Sequence, residues 1–432
     1  MLIMSEFFQR NAQIIQARWP ALFERLARED HGAIEAVLVE GQGSTLSVDG
    51  IQLSSRHDRL AEAQFQADSL PRSACLNLYG TGLGDLQDAL LQRSDLQRLQ
   101  VHILNGALFA LVLHLLDHGQ WLADPRVELV YAGDAGEIAL PYFALPAELV
   151  LADDFNAKIR DRLVSETHLT FNNTHFDVTD PHLVELLDKS LPLLRADRDV
   201  AELFGSRAGQ AAFVIATGPT LQGHLAALKR IHGQPGRPLF IAVDTAYKPL
   251  LAAGIEPDIV VSVDHKIRLH HLPPEASVNT ALVYMPMLDV ETVAGWRGPR
   301  YAAYSYSALY DRVRGDIPRG HLFVGGSVIH PAADLAVKMG MRRITLFGAD
   351  FAFPGNRTHT GWDDGVLGPQ VSVARHWVLD GSGQRVRTQL NFRGYLIELE
   401  RFIARHPEVT FHNTSRAGAL IAGTTFDGEF CQ

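Results

Sequence analysis

At 432 residues the chain is longer than one hydrophobic core ordinarily organises, so two domains joined by a connector are expected. Hydrophobic residues make up 47% and charged residues 20%, which excludes wholesale disorder, a collagen-like chain and a disulfide scaffold. Lys+Arg 39 against Asp+Glu 49 gives a net charge of −10, so no nucleic-acid partner is expected, because phosphate neutralisation needs a basic surface. Cys75 and Cys431 are far apart and lack metal-ligand spacing. The start of the chain shows no basic region followed by an apolar core. The most apolar stretch, Val101 to Leu116, is too short to span a bilayer. A cytoplasmic protein without a membrane span is expected.

In chain order, Ile14, Ile15, Trp19, Leu22, Phe23 and Leu26 recur at helical spacing, with a break at Pro20. VEGQGSTLSVDGIQL turns at glycine, as small strands do. CLNLYGTGLGDLQDALL then reads as a strand, a Gly-rich turn and a helix. A strand at Val101 to Leu104, a helix at Ala107 to His118 and a strand at Val127 to Tyr131 follow. These elements form an N-terminal Rossmann-like domain over residues 1–152. Residues 153–207 lose the alternation, polar at FNNTHFDVTD and helical at HLVELLDKSLPLLRADRDVAELF, and read as a helical connector. The second domain, 208–432, alternates more clearly. Its strands AAFVIATG, PLFIAVDTA, DIVVSVD, ALVYMPML, RYAAYSY, ITLFGADF and VTFHNTS are interleaved with helices at LQGHLAALKRI, KPLLAAG, SVIHPAADLAVKMG and YLIELERFIARH. Continuous apolar runs predict strands buried on both faces, hence an α/β fold with two Rossmann-like domains of mostly parallel strands.

In an open α/β sheet, ligands bind beyond the carboxyl ends of the strands. There the second domain carries Gly218-Pro219-Thr220, Asp244-Thr245, Asp264-His265 and Asp350, with Gly325-Gly326-Ser327 before a helix. Gly218-Pro219-Thr220 suits a tight turn whose amides point at an anion, or a plain strand–helix turn; Gly325-Gly326-Ser327 is the same device, with Ser327 also a simple helix cap. Three carboxylates at one sheet edge suit sugar hydroxyls, a magnesium ion, or caps. His359, in RTHTGW beyond Asp350, is the candidate base for a hydroxyl acceptor, with His265 its rival. No His or Cys spacing suits zinc. In the first domain Gly80-Thr81-Gly82-Leu83-Gly84 is placed like a dinucleotide loop. The next strand ends in Asn105 rather than an acid, so a structural loop is expected.

The blocks FVIATGPTL, FIAVDTAYKPLLAAGIEPDIVVSVD, VGGSVIHPAADLAVKMGMRRITLFGADFAF, RTHTGW and FHNTSRAGALIAGT resemble the MptE-like (DUF115) catalytic domain of the motility accessory factors, the Maf proteins. LSSRHDRLAEAQ and LYGTGLGD resemble that family's N-terminal domain. The resemblance implies a sialyltransferase-like second domain and O-glycosylation of flagellin with a nonulosonic acid of the pseudaminic or legionaminic type, delivered as a CMP-sugar. It places Gly218, Pro219, Thr220 and Thr245 by the CMP moiety, Gly326 and Ser327 towards the donor, and His359 as the acceptor-activating histidine. No cofactor is required on this reading.

The expected function is therefore a CMP-sugar-dependent glycosyltransferase acting on Ser or Thr of flagellin, needed for flagellar assembly and motility. Its donor site would be an electropositive pocket at one rim of the second domain. The alternatives are an Mg²⁺-dependent pterin pyrophosphokinase, with Asp244, Asp264 and Asp350 holding the metal, and a non-catalytic flagellin-binding accessory protein.

Overall fold

The structure, a computed structural model, describes residues 5–41, 43–175 and 178–430. The chain forms two compact units, Met1–His168 and Leu169–Gln432. The smaller begins with α1 (Glu6–Arg18), capped by Ser5, whose hydroxyl accepts from the Phe8 amide at 3.1 Å. Pro20 opens α2 (Pro20–Leu26), so the expected break at that proline is a helix start, where a missing N–H costs nothing. A small antiparallel sheet of β1 (Ala36–Val39), β2 (Thr45–Val48) and β3 (Ile51–Gln52) follows.

After α3 (Arg59–Ser69) come β4 (Cys75–Tyr79), α4 (Asp85–Leu91), β5 (Arg98–Ile103), α5 (Gly106–Leu115), α6 (Gly119–Ala123), β6 (Val127–Tyr131), β7 (Tyr142–Ala144), α7 (Pro146–Leu151) and α8 (Ala157–His175). The four strands make a parallel sheet in the order β6-β5-β4-β7. Within FNNTHFDVTD, α8 continues through its first five residues, whereas Phe176 and Asp177 lie outside the described residues.

The larger unit holds α9 (Pro181–Ala196), β8 (Arg198–Asp199), β9 (Ala211–Ile215), α10 (Leu221–His232), β10 (Leu239–Val243), α11 (Asp244–Ala252), β11 (Ile259–Ser262), β12 (Ala281–Tyr284), α12 (Val290–Gly295), β13 (Arg300–Ala302), α13 (Asp311–Arg314) and α14 (Ile329–Lys338). It continues with β14 (Arg343–Phe347), β15 (His376–Leu379), β16 (Arg385–Thr388), α15 (Leu390–Ala404), β17 (Thr410–Asn413) and β18 (Thr425–Phe426). Nine strands form one parallel sheet, β18-β17-β14-β9-β10-β11-β12-β13-β8. Every residue of β10 and β11 is buried, as their unbroken apolar runs require of strands covered on both faces. α14 packs on β9 and β10, and its residues Ile329 to Val337 are all buried.

From β9 the chain steps one way along the sheet to β13, then crosses back to lay β14 on the other side of β9. This reversal makes the β9–β14 boundary the switch point, where a crevice opens at the carboxyl ends of the strands. VTFHNTS is not the final strand, since β18 follows it, and the antiparallel hairpin β15–β16 is an addition to the expected elements.

Candidate functional site

The ladder between β9 and β14 runs on past both strands: the Ala216 amide donates to the Phe347 carbonyl at 2.8 Å, and the Gly218 amide to the Gly348 carbonyl at 2.8 Å. At Gly218 a Cβ would lie 2.4 Å from both the Gly348 carbonyl and Asp350 Oδ2, so only glycine fits. The anion at this turn belongs to the protein itself. Asp350 Oδ2 accepts from the Thr220 amide at 2.8 Å, and Oδ1 from the Thr220 hydroxyl at 2.6 Å. Burial pushes the Asp350 carboxyl up to about 6, and the two Thr220 bonds oppose that shift. The Thr220 amide, expected to face a ligand, is thus taken by Asp350.

Thr360 and Trp362 dock the RTHTGW loop onto the strand ends. The Thr360 amide donates to the Thr217 carbonyl at 2.8 Å, its hydroxyl to the Gly218 carbonyl at 2.9 Å, and the Trp362 indole to the Thr245 carbonyl at 2.9 Å. These anchors leave His359 lining the crevice, partly buried, its ring without a hydrogen-bond partner among the described residues. Burial lowers its pKa to about 4, with Asp364 opposing, so at neutral pH it is an uncharged base.

Asp244 opens α11 and is 1% exposed. It accepts from Ser262 Oγ at 2.8 Å and the Thr245 amide at 2.7 Å, and desolvation raises it to about 7. Asp264 is half exposed, accepts from the Lys266 amide at 2.9 Å and lies 3.5 Å from His265 Nδ1. Thr245 and Thr217 join their hydroxyls at 2.5 Å.

At the start of α14 the cap is Val328, so Ser327 does not have the expected capping role. The Ser327 main chain meets His330 Nδ1 through its amide at 3.2 Å and its carbonyl at 2.9 Å, while His330 Nε2 donates to the Tyr395 carbonyl at 2.9 Å. Burial lowers His330 to about 4, so its ring is uncharged at neutral pH.

Together these elements line a cleft of about 640 Å³, within the range of small-molecule sites. Gly218, Asp244, Thr245, Asp264, Gly326, Ser327, Asp350 and His359 line it; Pro219, Thr220 and Gly325 do not. Nor is the lining electropositive: Lys266 is the one Lys or Arg among the described lining residues, beside three aspartates. Two of those, Asp244 and Asp350, are held towards their neutral forms by burial. Among the described residues no three His, Cys, Asp or Glu side chains gather as a metal site. The sequence reading did not include Lys266 or the start of α15, where Gln389, Asn391, Phe392 and Tyr395 form a wall of the cleft.

The Gly-rich turn of the smaller unit is also filled from within. Glu148 Oε1 accepts from the Thr81 amide at 2.7 Å, the Gly82 amide and the Thr81 hydroxyl. Glu148 is 1% exposed and raised by desolvation to about 7. Asn105 caps α5, its Oδ1 accepting from the Leu108 amide at 2.9 Å. No described helix is long and apolar enough to cross a membrane.

No curated protein matches this sequence. Among solved structures the chain is similar to a MAf glycosyltransferase from Magnetospirillum magneticum AMB-1, at 15% identity over 99% of this chain and 75% of that one, with a TM-score of 0.44. Residues 187–356 match the model of the family described as 6-hydroxymethylpterin diphosphokinase MptE-like. That stretch holds β9 to β14 and with them Gly218, Gly326 and Asp350, so the similarity to this family falls on the strands that border the cleft of the larger unit.

Proposed function

We propose that the protein is a glycosyltransferase of the Maf type, moving a nonulosonic acid from a CMP-sugar to a Ser or Thr hydroxyl of flagellin in the cytoplasm. The observation that carries this reading is the convergence of Gly218, Gly326 and His359, from three separate Maf-like blocks, on one cleft at the switch point of the sheet. In the reaction His359 takes the proton from the acceptor hydroxyl. The hydroxyl oxygen bonds to the anomeric carbon, the bond from that carbon to the phosphate oxygen breaks, and CMP leaves with its electron pair. His359 suits the role because it lines the cleft uncharged. Asp244, Thr245 and Asp264 lie where a nucleoside or sugar hydroxyl would be met.

The family description supports a second reading, diphosphoryl transfer to a pterin with Asp244, Asp264 and Asp350 around a magnesium ion. Against it, Asp350 is engaged by Thr220 and Asp244 by Ser262, leaving Asp264 as the exposed carboxylate of the three. Transfer to purified flagellin, read by intact mass with CMP-sugar donors, tests the first reading; thermal shift with CMP against ATP plus Mg²⁺ separates the two. Stabilisation by ATP–Mg²⁺ alone would sink the glycosyltransferase reading.

A further inference from the structure

Main-chain groups that the sequence offered to a ligand are spent inside the protein: the Thr220 amide on Asp350, the Gly218 amide on the Gly348 carbonyl and the Ser327 main chain on His330 Nδ1. At the Gly326 edge the cleft is lined instead by Tyr395, on α15 and outside the stretch matched to the family model. Its main chain and ring both meet neighbours. Its carbonyl receives the His330 Nε2 proton at 2.9 Å, and its ring meets those of His330 and Phe392 at centroid distances of 6.4 Å and 6.2 Å.

The same ring lies on Gly326, where a Cβ would come within 2.4 Å of Tyr395 Cε1; Gly326 also has φ +93°, a conformation that favours glycine. Tyr395 is partly exposed to the cleft, and its hydroxyl makes no hydrogen bond to any described residue. Burial, and then the nearby Asp264, raise the phenol above its ordinary pKa, so it keeps its proton and stays a donor. Three aspartates share the cleft, and none of them offers an anion a hydrogen bond when ionised.

We propose that the hydroxyl of Tyr395, whose ring lies on Gly326, donates a hydrogen bond to an oxyanion of the bound donor, either the phosphate of the nucleotide or the carboxylate of its sugar. The assignment rests on the nucleotide-sugar reading above. A bond of this kind to a charged oxygen is worth more than one to a neutral group, and a donor already locked by its neighbours loses little entropy in making it.

Titration calorimetry of wild type and Tyr395→Phe with cytidine, CMP and a CMP-nonulosonic acid tests it. Phenylalanine keeps the ring on Gly326 and removes only the donor. Unchanged affinity for cytidine with CMP weakened at least about tenfold places the hydroxyl on the phosphate. Unchanged CMP with the CMP-sugar weakened by a similar factor places it on the sugar carboxylate. Equal affinities in the two proteins for all three ligands overturn the assignment alone, and so does a loss already present with cytidine. A wild type that binds neither CMP nor the CMP-sugar overturns the nucleotide-sugar reading, and this assignment with it.

Discussion

Asp350 and Thr220, 130 positions apart, close the switch point with two hydrogen bonds, from the Thr220 amide and hydroxyl to the two carboxylate oxygens. A carboxylate at the start of α10 satisfies donors that no helical carbonyl can reach. Thr220→Val keeps the branched shape and the amide but removes the hydroxyl. It should cost about 2 kcal/mol in urea unfolding, with the loss larger at pH 8 than at pH 5, because Asp350 ionises near pH 6 and the bond strengthens with the charge. An identical loss at both pH values would contradict the assignment.

Gly218→Ala places a methyl 2.4 Å from a backbone carbonyl and from the Asp350 carboxylate, neither of which is the free end of a flexible chain. We expect a stability loss of about 1–3 kcal/mol, together with weakened ligand binding as the two strand ends move apart. Thermal unfolding with and without CMP measures both.

His359 loses its charge as pH rises through about 4, so transfer should stay flat from pH 8 down to about 5 and fall below that as the base is protonated. His359→Ala should lower kcat by about 10²- to 10⁴-fold while leaving the Kd for CMP unchanged. A variant that transfers at the wild-type rate would remove His359 from the reaction.

Trp362 positions His359 from a distance through its indole bond to the Thr245 carbonyl. Trp362→Phe should reduce kcat more than it raises KM for the donor, and His359→Ala introduced on top should add less than it does in wild type. Independent, fully additive effects would show that the loop anchor does not act through the histidine.

Glu148 titrates near pH 7 in the folded protein and near its ordinary carboxylate value when unfolded. Between those values the folded state holds the extra proton, so wild-type stability should fall as pH rises from about 4.5 to 7. Glu148→Gln keeps a carbonyl for the Thr81 and Gly82 amides and cannot ionise, so the variant should gain on wild type across that window. Calorimetric scans of both proteins at pH 5 and pH 7.5 check the sign.

The inner strands of the larger sheet were legible because burial on both faces writes an unbroken apolar run, as in Leu239–Val243 and Ile259–Ser262. β8 is a polar pair, Arg198–Asp199, and β7 is three residues long, so neither carries a period to read. The hairpin β15–β16 left no clear signal because its strands are four residues each, HWVL and RVRT, too short to show a period. Strand-end residues such as Gly218 and Asp350 were legible as a set, since topology alone sends them to one edge. Their hydrogen-bond partners were not, because whether an amide faces a ligand or a carboxylate of the chain depends on packing between distant segments. Tyr395 shows the same limit: its helix is recognisable from an apolar stripe, but nothing local says that its ring will settle on Gly326.

Glu148 has a consequence for how many ligand molecules one chain accepts. Both units open a helix after a glycine-bearing turn, yet in the smaller one the acidic side chain already sits on the amides that a pyrophosphate would need. A nucleotide arriving there would have to evict a group tethered at high effective concentration by its own polypeptide. Saturation should therefore be reached at one equivalent of nucleotide per chain, not two.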